Sequence, residues 1–328
     1  MNIVETFIAK AKANPARVVF PEANDARILQ AVAQVRELGI AEPVLVGNPE
    51  DVQALAAELG VDLGATEILD SKTDERLERY TEAYATKREL RSAIAKKLVR
   101  KPLSFGGMMV SEGDADGMVA GVATATSLVI QTATLTVGFQ EGLSTPSSFF
   151  IMIVPNFQGE QDKVFIFADS AVNIQPNAQQ LAEIAVASGT NAKALLGIDP
   201  KIAFLSFSTK GSASHDDADK VIEALGIAQE IAPQFQMDGE LQLDASVVQK
   251  VAAKKVKDSE VAGAANVLIF PDLDAGNIGY KLVQYMANAK AIGPILQGFA
   301  KPVNDMSRGA SVEDLIAVTA ITTVQAKG

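Results

Sequence analysis

The sequence has no cysteine and no tryptophan, and one histidine, His215. Without cysteine, the chain can form no disulfide, thiolate nucleophile, cysteine-ligated zinc site or iron–sulfur cluster. A single histidine excludes His-rich metal sites and paired-imidazole acid–base schemes. Aromatic residues make up only 5%, so a core must be packed mostly from Val, Ile, Leu and Ala. Positive charge is also scarce: 29 Lys and Arg face 40 Asp and Glu, a formal net charge of −11. A chain this acidic attracts neither nucleic acid nor an anionic membrane through its overall field, and a phosphate ligand would need cations concentrated locally. Long apolar runs are missing too. Residues 117–140 are uncharged, but Gly121, Gln131 and repeated threonines interrupt them, so they read as a buried element and not a membrane span. The first residues carry Glu5 and no long apolar centre, which does not fit a signal peptide. A cytoplasmic location is the resulting expectation.

Hydrophobic residues make up 48% of the 328 positions, ample for a buried core. At about 100–200 residues per domain, two domains are expected. Residues 17–21 read as a strand, followed by a helix with Ile28, Val32 and Val35 on one face. Residues 43–47 form a second strand. Asn48 and Pro49 then supply an N-cap and first-turn proline for a helix ending near Gly60. Residues 66–69 suggest a third strand. Such alternation marks an α/β sheet with parallel pairing. Residues 72–100 read as charged and helical, a solvated face with ion pairs. Residues 147–154 and 164–168 read as buried antiparallel neighbours, and residues 202–207 and 267–270 as further strands. Residues 292–298 look like a last short strand or loop. The domain expectation is 1–143 with 292–328, and 144–291 between them.

Three stretches carry candidate chemistry. A polar loop near the end runs into an apolar helix and holds Asn304, Ser307, Arg308 and Asp314. These supply an amide, a hydroxyl, a fixed cation and a carboxylate, enough to hold an anion and move a proton. Ser311 has the look of an N-cap before Leu315, Ile316 and Val318. Ser311-Val-Glu-Asp314 also has capping-box spacing, so the stretch reads either as a catalytic loop or as a well-capped helix start. Arg308 lies beyond that start, where the helix dipole disfavours a cation unless an anion sits between. The second stretch, Ser208-Thr-Lys-Gly-Ser212, offers Ser208, Thr209 and Lys210 for an anion but lacks P-loop spacing. An ordinary strand-to-helix turn is the competing reading. The third holds Asp272, Asp274, Gly276 and Asn277 at a strand end. It suits either a magnesium ion or helix capping, and no metal site is assigned. His215 reads as a surface-loop residue.

Several motifs together resemble the phosphate acetyltransferase (phosphotransacetylase) family with its phosphate butyryltransferase relatives. They are Phe167-Ala-Asp-Ser-Ala-Val-Asn173, Leu205-Ser-Phe-Ser-Thr-Lys-Gly-Ser-Ala213, Asp238-Gly-Glu-Leu-Gln242, Ala265-Asn-Val-Leu-Ile-Phe-Pro-Asp-Leu273, Ala275-Gly-Asn-Ile-Gly-Tyr-Lys281, and Gly293-Pro-Ile-Leu-Gln-Gly298 with Lys301-Pro-Val-Asn-Asp-Met-Ser-Arg-Gly309. The resemblance spans the chain and is densest from about Ser147 onward. It implies two three-layer α/β domains with mainly parallel sheets and a cleft between them, an isocitrate/isopropylmalate dehydrogenase-like architecture, and a homodimer. It implies reversible acetyl transfer between acetyl phosphate and coenzyme A, by direct attack in a ternary complex. Coenzyme A and acetyl-CoA are then substrates, and no cofactor is permanently bound.

By motif matching, Asp314 would take the thiol proton. Arg308 would bind acetyl phosphate and the developing charge, and Ser307 would add a hydrogen bond. Arg88 would bind substrate and coenzyme A, and Asn304, Lys210, Ser208 and Thr209 would contact substrate. One departure stands out. The family commonly carries an Arg-Pro pair where this chain reads Thr126-Ser-Leu-Val-Ile-Gln-Thr-Ala133. The expectation is that Arg88 or Lys210 carries more of the substrate affinity. Acyl-chain preference is not legible.

Overall fold

The computed structural model describes residues 3–327. The chain divides into two compact units. One runs to Gln140 and resumes at Phe299; the other is Glu141–Gly298.

The first unit begins with α1 (Ile3–Ala13), β1 (Ala16–Phe20), α2 (Ala26–Leu38), β2 (Ala41–Val46), α3 (Pro49–Leu59) and β3 (Glu67–Leu69). Local chemistry sets these boundaries. The Asp25 side chain accepts from Arg27 N at the start of α2, and Gly39 closes that helix in the left-handed conformation. Asn48 accepts from Glu50 N and Asp51 N, Pro49 opens α3, and Gly60 ends it, as the sequence indicates. α4 (Leu77–Arg88), α5 (Ser92–Val99), α6 (Pro102–Glu112), β4 (Gly117–Ala120) and α7 (Thr126–Thr136) follow. The charged segment is therefore not one helix. Glu89 adopts φ 53 and its N–H caps α4, so the chain turns before α5 starts.

In the second unit, β5 (Ser147–Phe157) and β6 (Glu160–Ala168) form an antiparallel hairpin. Its two-residue turn, Gln158-Gly159, has positive φ at both positions, which matches the strand twist. α8 (Ala178–Asn191), β7 (Lys201–Leu205), α9 (Asp216–Ile231), β8 (Gln236–Leu241), α10 (Leu243–Val247), α11 (Gln249–Lys255), β9 (Val267–Ile269), α12 (Leu273–Met286) and β10 (Lys290–Gln297) complete it. The sheet order is β10-β5-β6-β9-β7-β8. Only β10/β5 and β5/β6 pair antiparallel. Residues 292–297 thus belong to this sheet and not to the first unit, because β10 pairs along β5 from Lys290 to Gln297. The scarce aromatics concentrate in this core. Phe165, Phe167 and Phe270 lie with ring centroids 5.2–6.4 Å apart, so this core is not purely aliphatic.

Finally β11 (Val303–Asp305) and α13 (Val312–Lys327) return to the first unit. Its sheet is wholly parallel, in the order β11-β4-β1-β2-β3. Val18, Val19, Ile28, Val32 and Val35 are fully buried in its aliphatic core. No described helix is long and apolar enough to cross a membrane.

Candidate active site

The strand order of the first unit reverses at β1. β2 and β3 lie on one side, β4 and β11 on the other. In open parallel sheets, ligands bind beyond the carboxyl ends of the strands at such a reversal. The chain leaves β1 through Pro21 and Glu22. The Glu22 carboxylate accepts from the backbone N–H groups of Gly121 (2.8 Å), Val122 (2.9 Å), Ala123 (3.1 Å) and Thr124 (2.7 Å), just after β4. Consecutive amides of this kind form an anion cradle, here filled by the protein's own carboxylate. Gly121 is required: its φ is 105, and a Cβ there would lie 2.2 Å from Asp305 Oδ1.

Arg27 ties three strand ends together. Its guanidinium donates to Asp25, to Val122 O (2.9 Å), and to Arg308 O (2.6 Å) and Ala310 O (3.1 Å). The Arg27 hydrogen bond holds the Asp25 carboxyl below its ordinary range. Neither Glu22 nor Arg27 was singled out from sequence. Their signal was position, immediately beyond the end of the first strand.

Arg27 thereby anchors the loop after β11. Ser307, Arg308 and Asp314 are all exposed on it and on the helix start it leads to. Ser307 O accepts from Ala310 N (2.9 Å), and its hydroxyl accepts from Gly309 N (3.2 Å), forming a tight turn. The Arg308 carbonyl is pinned, while its guanidinium makes no hydrogen bond or ion pair among the described residues. The capping box is real. Asp314 Oδ2 accepts from Ser311 N (3.0 Å), and Asp314 N donates to Ser311 Oγ (3.2 Å). That box engages one carboxylate oxygen and leaves Oδ1 open, so both readings of the stretch are compatible.

The remaining candidates are engaged in structure. Asn304 is 0% exposed, and its Nδ2 donates to Thr322 Oγ1 and Gln325 Oε1, each at 2.8 Å. It clamps β11 to α13. Arg88 donates through Nε to Leu135 O (2.8 Å) and through Nη2 to Thr134 O. Lys87 donates to Thr136 O (2.6 Å) and Val137 O (3.1 Å). Both cations therefore serve the carbonyls and dipole at the end of α7. Burial, with the Arg88 charge beside it, also holds Lys87 below the usual ammonium range.

In the second unit, the 208–212 turn is closed on itself. Ser208 Oγ donates to Glu240 Oε1 (2.7 Å) and accepts from Ala213 N (3.1 Å). Thr209 Oγ1 accepts from Gln242 N (2.9 Å). Lys210 pairs with Asp238 and donates to Gly239 O (2.6 Å). Sequence ingredients alone suggested an anion site, but the folded turn satisfies its own hydroxyls and its cation. Asp272 is the N-cap of α12, accepting from Ala275 N (2.8 Å). His215 is exposed, and its Nδ1 accepts from Asp217 N (3.1 Å). Among the described residues, no group of three or more His, Asp and Glu is arranged to hold a metal ion.

Within the first unit, a cavity of about 430 Å³ lies at the strand reversal. Pro21, Glu22 and Thr124 form its inner wall, Leu128, Gln131 and Leu135 of α7 one side, and Lys101 and Pro102 the mouth of α6. Its size is that of a small-molecule site, and its walls are mostly apolar.

The sequence profile of the phosphate acetyl/butaryl transferase family matches residues 2–323. The chain belongs to that family. It is 49% identical to the phosphate acetyltransferase of Thermoanaerobacterium thermosaccharolyticum over 330 aligned residues, covering 100% of both chains. It is 44% identical to that of Acetivibrio thermocellus, covering 100% of this chain and 99% of the relative. A phosphotransacetylase crystal structure from Streptococcus pyogenes superposes with a TM-score of 0.92 at 41% identity, covering 98% of each chain. The protein is thus an acyltransferase of the phosphate acetyl/butaryl transferase family with a two-domain α/β fold.

Proposed function

We propose that this enzyme catalyses reversible acetyl transfer between acetyl phosphate and coenzyme A. Asp314 takes the proton from the coenzyme A thiol through its open Oδ1. The thiolate sulfur bonds to the acetyl carbonyl carbon, and the carbon–oxygen bond to phosphate breaks, with phosphate leaving on the bonding pair. Arg308 carries the charge that grows on the carbonyl oxygen and the leaving phosphate. Ser307 adds a hydrogen bond to the same group. A carboxylate is a weak base for a thiol, so the transfer depends on held proximity and on the adjacent guanidinium. No thiol of the protein is needed, in keeping with a chain that has none.

The observation that carries this reading is the pairing, on one anchored loop and the helix start that follows it, of a guanidinium without a partner among the described residues and a carboxylate with one oxygen open. The cavity at the strand reversal is our candidate for coenzyme A. A homodimer is supported by α12, whose Ile278, Leu282, Tyr285 and Met286 are apolar yet exposed, the last two by 80% each. A stripe of this kind on a single helix is a surface that association would cover.

The test mixes enzyme, acetyl phosphate and coenzyme A without metal or nicotinamide and follows thioester absorbance. Thioester formation is expected, and none would refute the proposal. Butyryl phosphate run in parallel settles the acyl chain.

A further inference from the structure

Gln131 lies in the segment where the family commonly carries an Arg-Pro pair and this chain has no arginine, and it lines the cavity at the strand reversal. Neither of the cations expected from sequence to compensate is available there. Arg88 is bound to the end of α7, and Lys210 to Asp238. Lys87 is likewise held by Thr136 O and Val137 O. Lys101 is the only cationic side chain among the residues lining that cavity. It is exposed, and its ammonium makes no hydrogen bond or ion pair among the described residues. The one acidic side chain of the lining, Glu22, is turned into four backbone amides. An incoming anion would therefore find Lys101 unopposed.

We propose that Lys101 is the cation that receives a phosphate of coenzyme A, taking over the work of the arginine that this chain lacks in the segment 126–133. The apolar wall of Leu128 and Leu135 accepts the uncharged part of the ligand, and Lys101 at the mouth of α6 fixes its charged end. Lysine suits this position. Its flexible stem and compact charge follow a phosphate that a rigid guanidinium fork would have to meet in one geometry. Lys101 is thus a substrate-positioning residue and takes no part in bond making. The inference rests on the acetyl-transfer reading above.

The test compares wild type with Lys101→Gln and Lys101→Arg, using coenzyme A, its analogue without the 3′-phosphate, and pantetheine, which has no phosphate. Lys101→Gln should raise KM for coenzyme A about tenfold. It should leave kcat and KM for acetyl phosphate within about twofold, and Lys101→Arg should recover most of the loss. The penalty should vanish with pantetheine. Its loss already with the 3′-dephospho analogue would identify the 3′-phosphate as the partner, and its persistence there the pyrophosphate; either supports the proposal. An unchanged KM for coenzyme A in Lys101→Gln would overturn it, as would an equal penalty with pantetheine. If wild type itself forms no thioester, the acetyl-transfer reading has failed instead. Unchanged melting of both variants excludes a folding effect.

Discussion

Two loops of this protein carry nearly the same chemistry and do different things with it. The loop after β11 offers Ser307 and Arg308, and the turn after β7 offers Ser208, Thr209 and Lys210. Beneath the second turn lies Glu240, 2% exposed, which accepts from Ser208 Oγ and from Gly211 N (2.8 Å). Beneath the first lies Asp305, 3% exposed, which accepts from Thr126 Oγ1 (2.5 Å) but leaves Oδ1 buried without a partner among the described residues. One turn thus draws its polar groups inward around a carboxylate. The other is held by its backbone, through Arg27, and sends its side chains outward. The lesson is that hydroxyls and a cation in sequence describe a site only when something else holds the loop.

That contrast can be broken by mutation. The largest expected effect is at Arg308. Arg308→Gln should reduce kcat by about 10²–10³-fold, the loss typical of one preorganised charge-stabilising donor. Lys210→Met, which removes the ion pair to Asp238 and the hydrogen bond to Gly239 O but nothing aimed at a ligand, should keep turnover within about threefold of wild type. Comparable losses in steady-state kinetics would erase the distinction between the two loops.

A smaller effect is expected at Asp305. Burial pushes its carboxyl up to about 6; the Thr126 hydroxyl offsets part of that, and the Glu22 charge adds to it. An unfolded aspartate titrates near 3.8. Between those values the folded protein binds the extra proton, so stability falls as pH rises, by about 3 kcal/mol across the window. Asp305→Asn removes that loss. Urea unfolding should show the variant more stable than wild type at pH 8, by up to about 3 kcal/mol, with the gap closing toward pH 4. A gap independent of pH would mean that this carboxylate is better satisfied than its surroundings suggest.

Much of the fold was legible because its signals are local. Asn48, Pro49 and Gly60 bound α3 through backbone chemistry that three or four residues can state. The capping box at Ser311 and Asp314 was legible for the same reason. What escaped was long-range. Residues 292–297 looked like part of the closing segment, and only pairing with β5 assigns them to the second sheet. Arg88 looked like a ligand cation because nothing in its neighbourhood reveals the carbonyls of Thr134 and Leu135, which lie 46 and 47 residues away. The engagement of Asn304 escaped similarly, since its partners Thr322 and Gln325 lie one helix later. Arg27, which reaches 281 residues to the Arg308 carbonyl, could be found only from the fold.

The central claim is that Asp314 does chemistry as well as capping. The measurement that bears on it most directly is turnover and melting of Asp314→Asn beside Ser311→Ala. Asparagine keeps an acceptor for the helix start but cannot take a proton. Asp314→Asn should therefore lose about 10²–10⁴-fold in kcat with at most about 1 kcal/mol of stability, and Ser311→Ala should lose about 1 kcal/mol of stability with near-normal turnover. Near-normal turnover in Asp314→Asn would reduce that carboxylate to a helix cap and contradict the account.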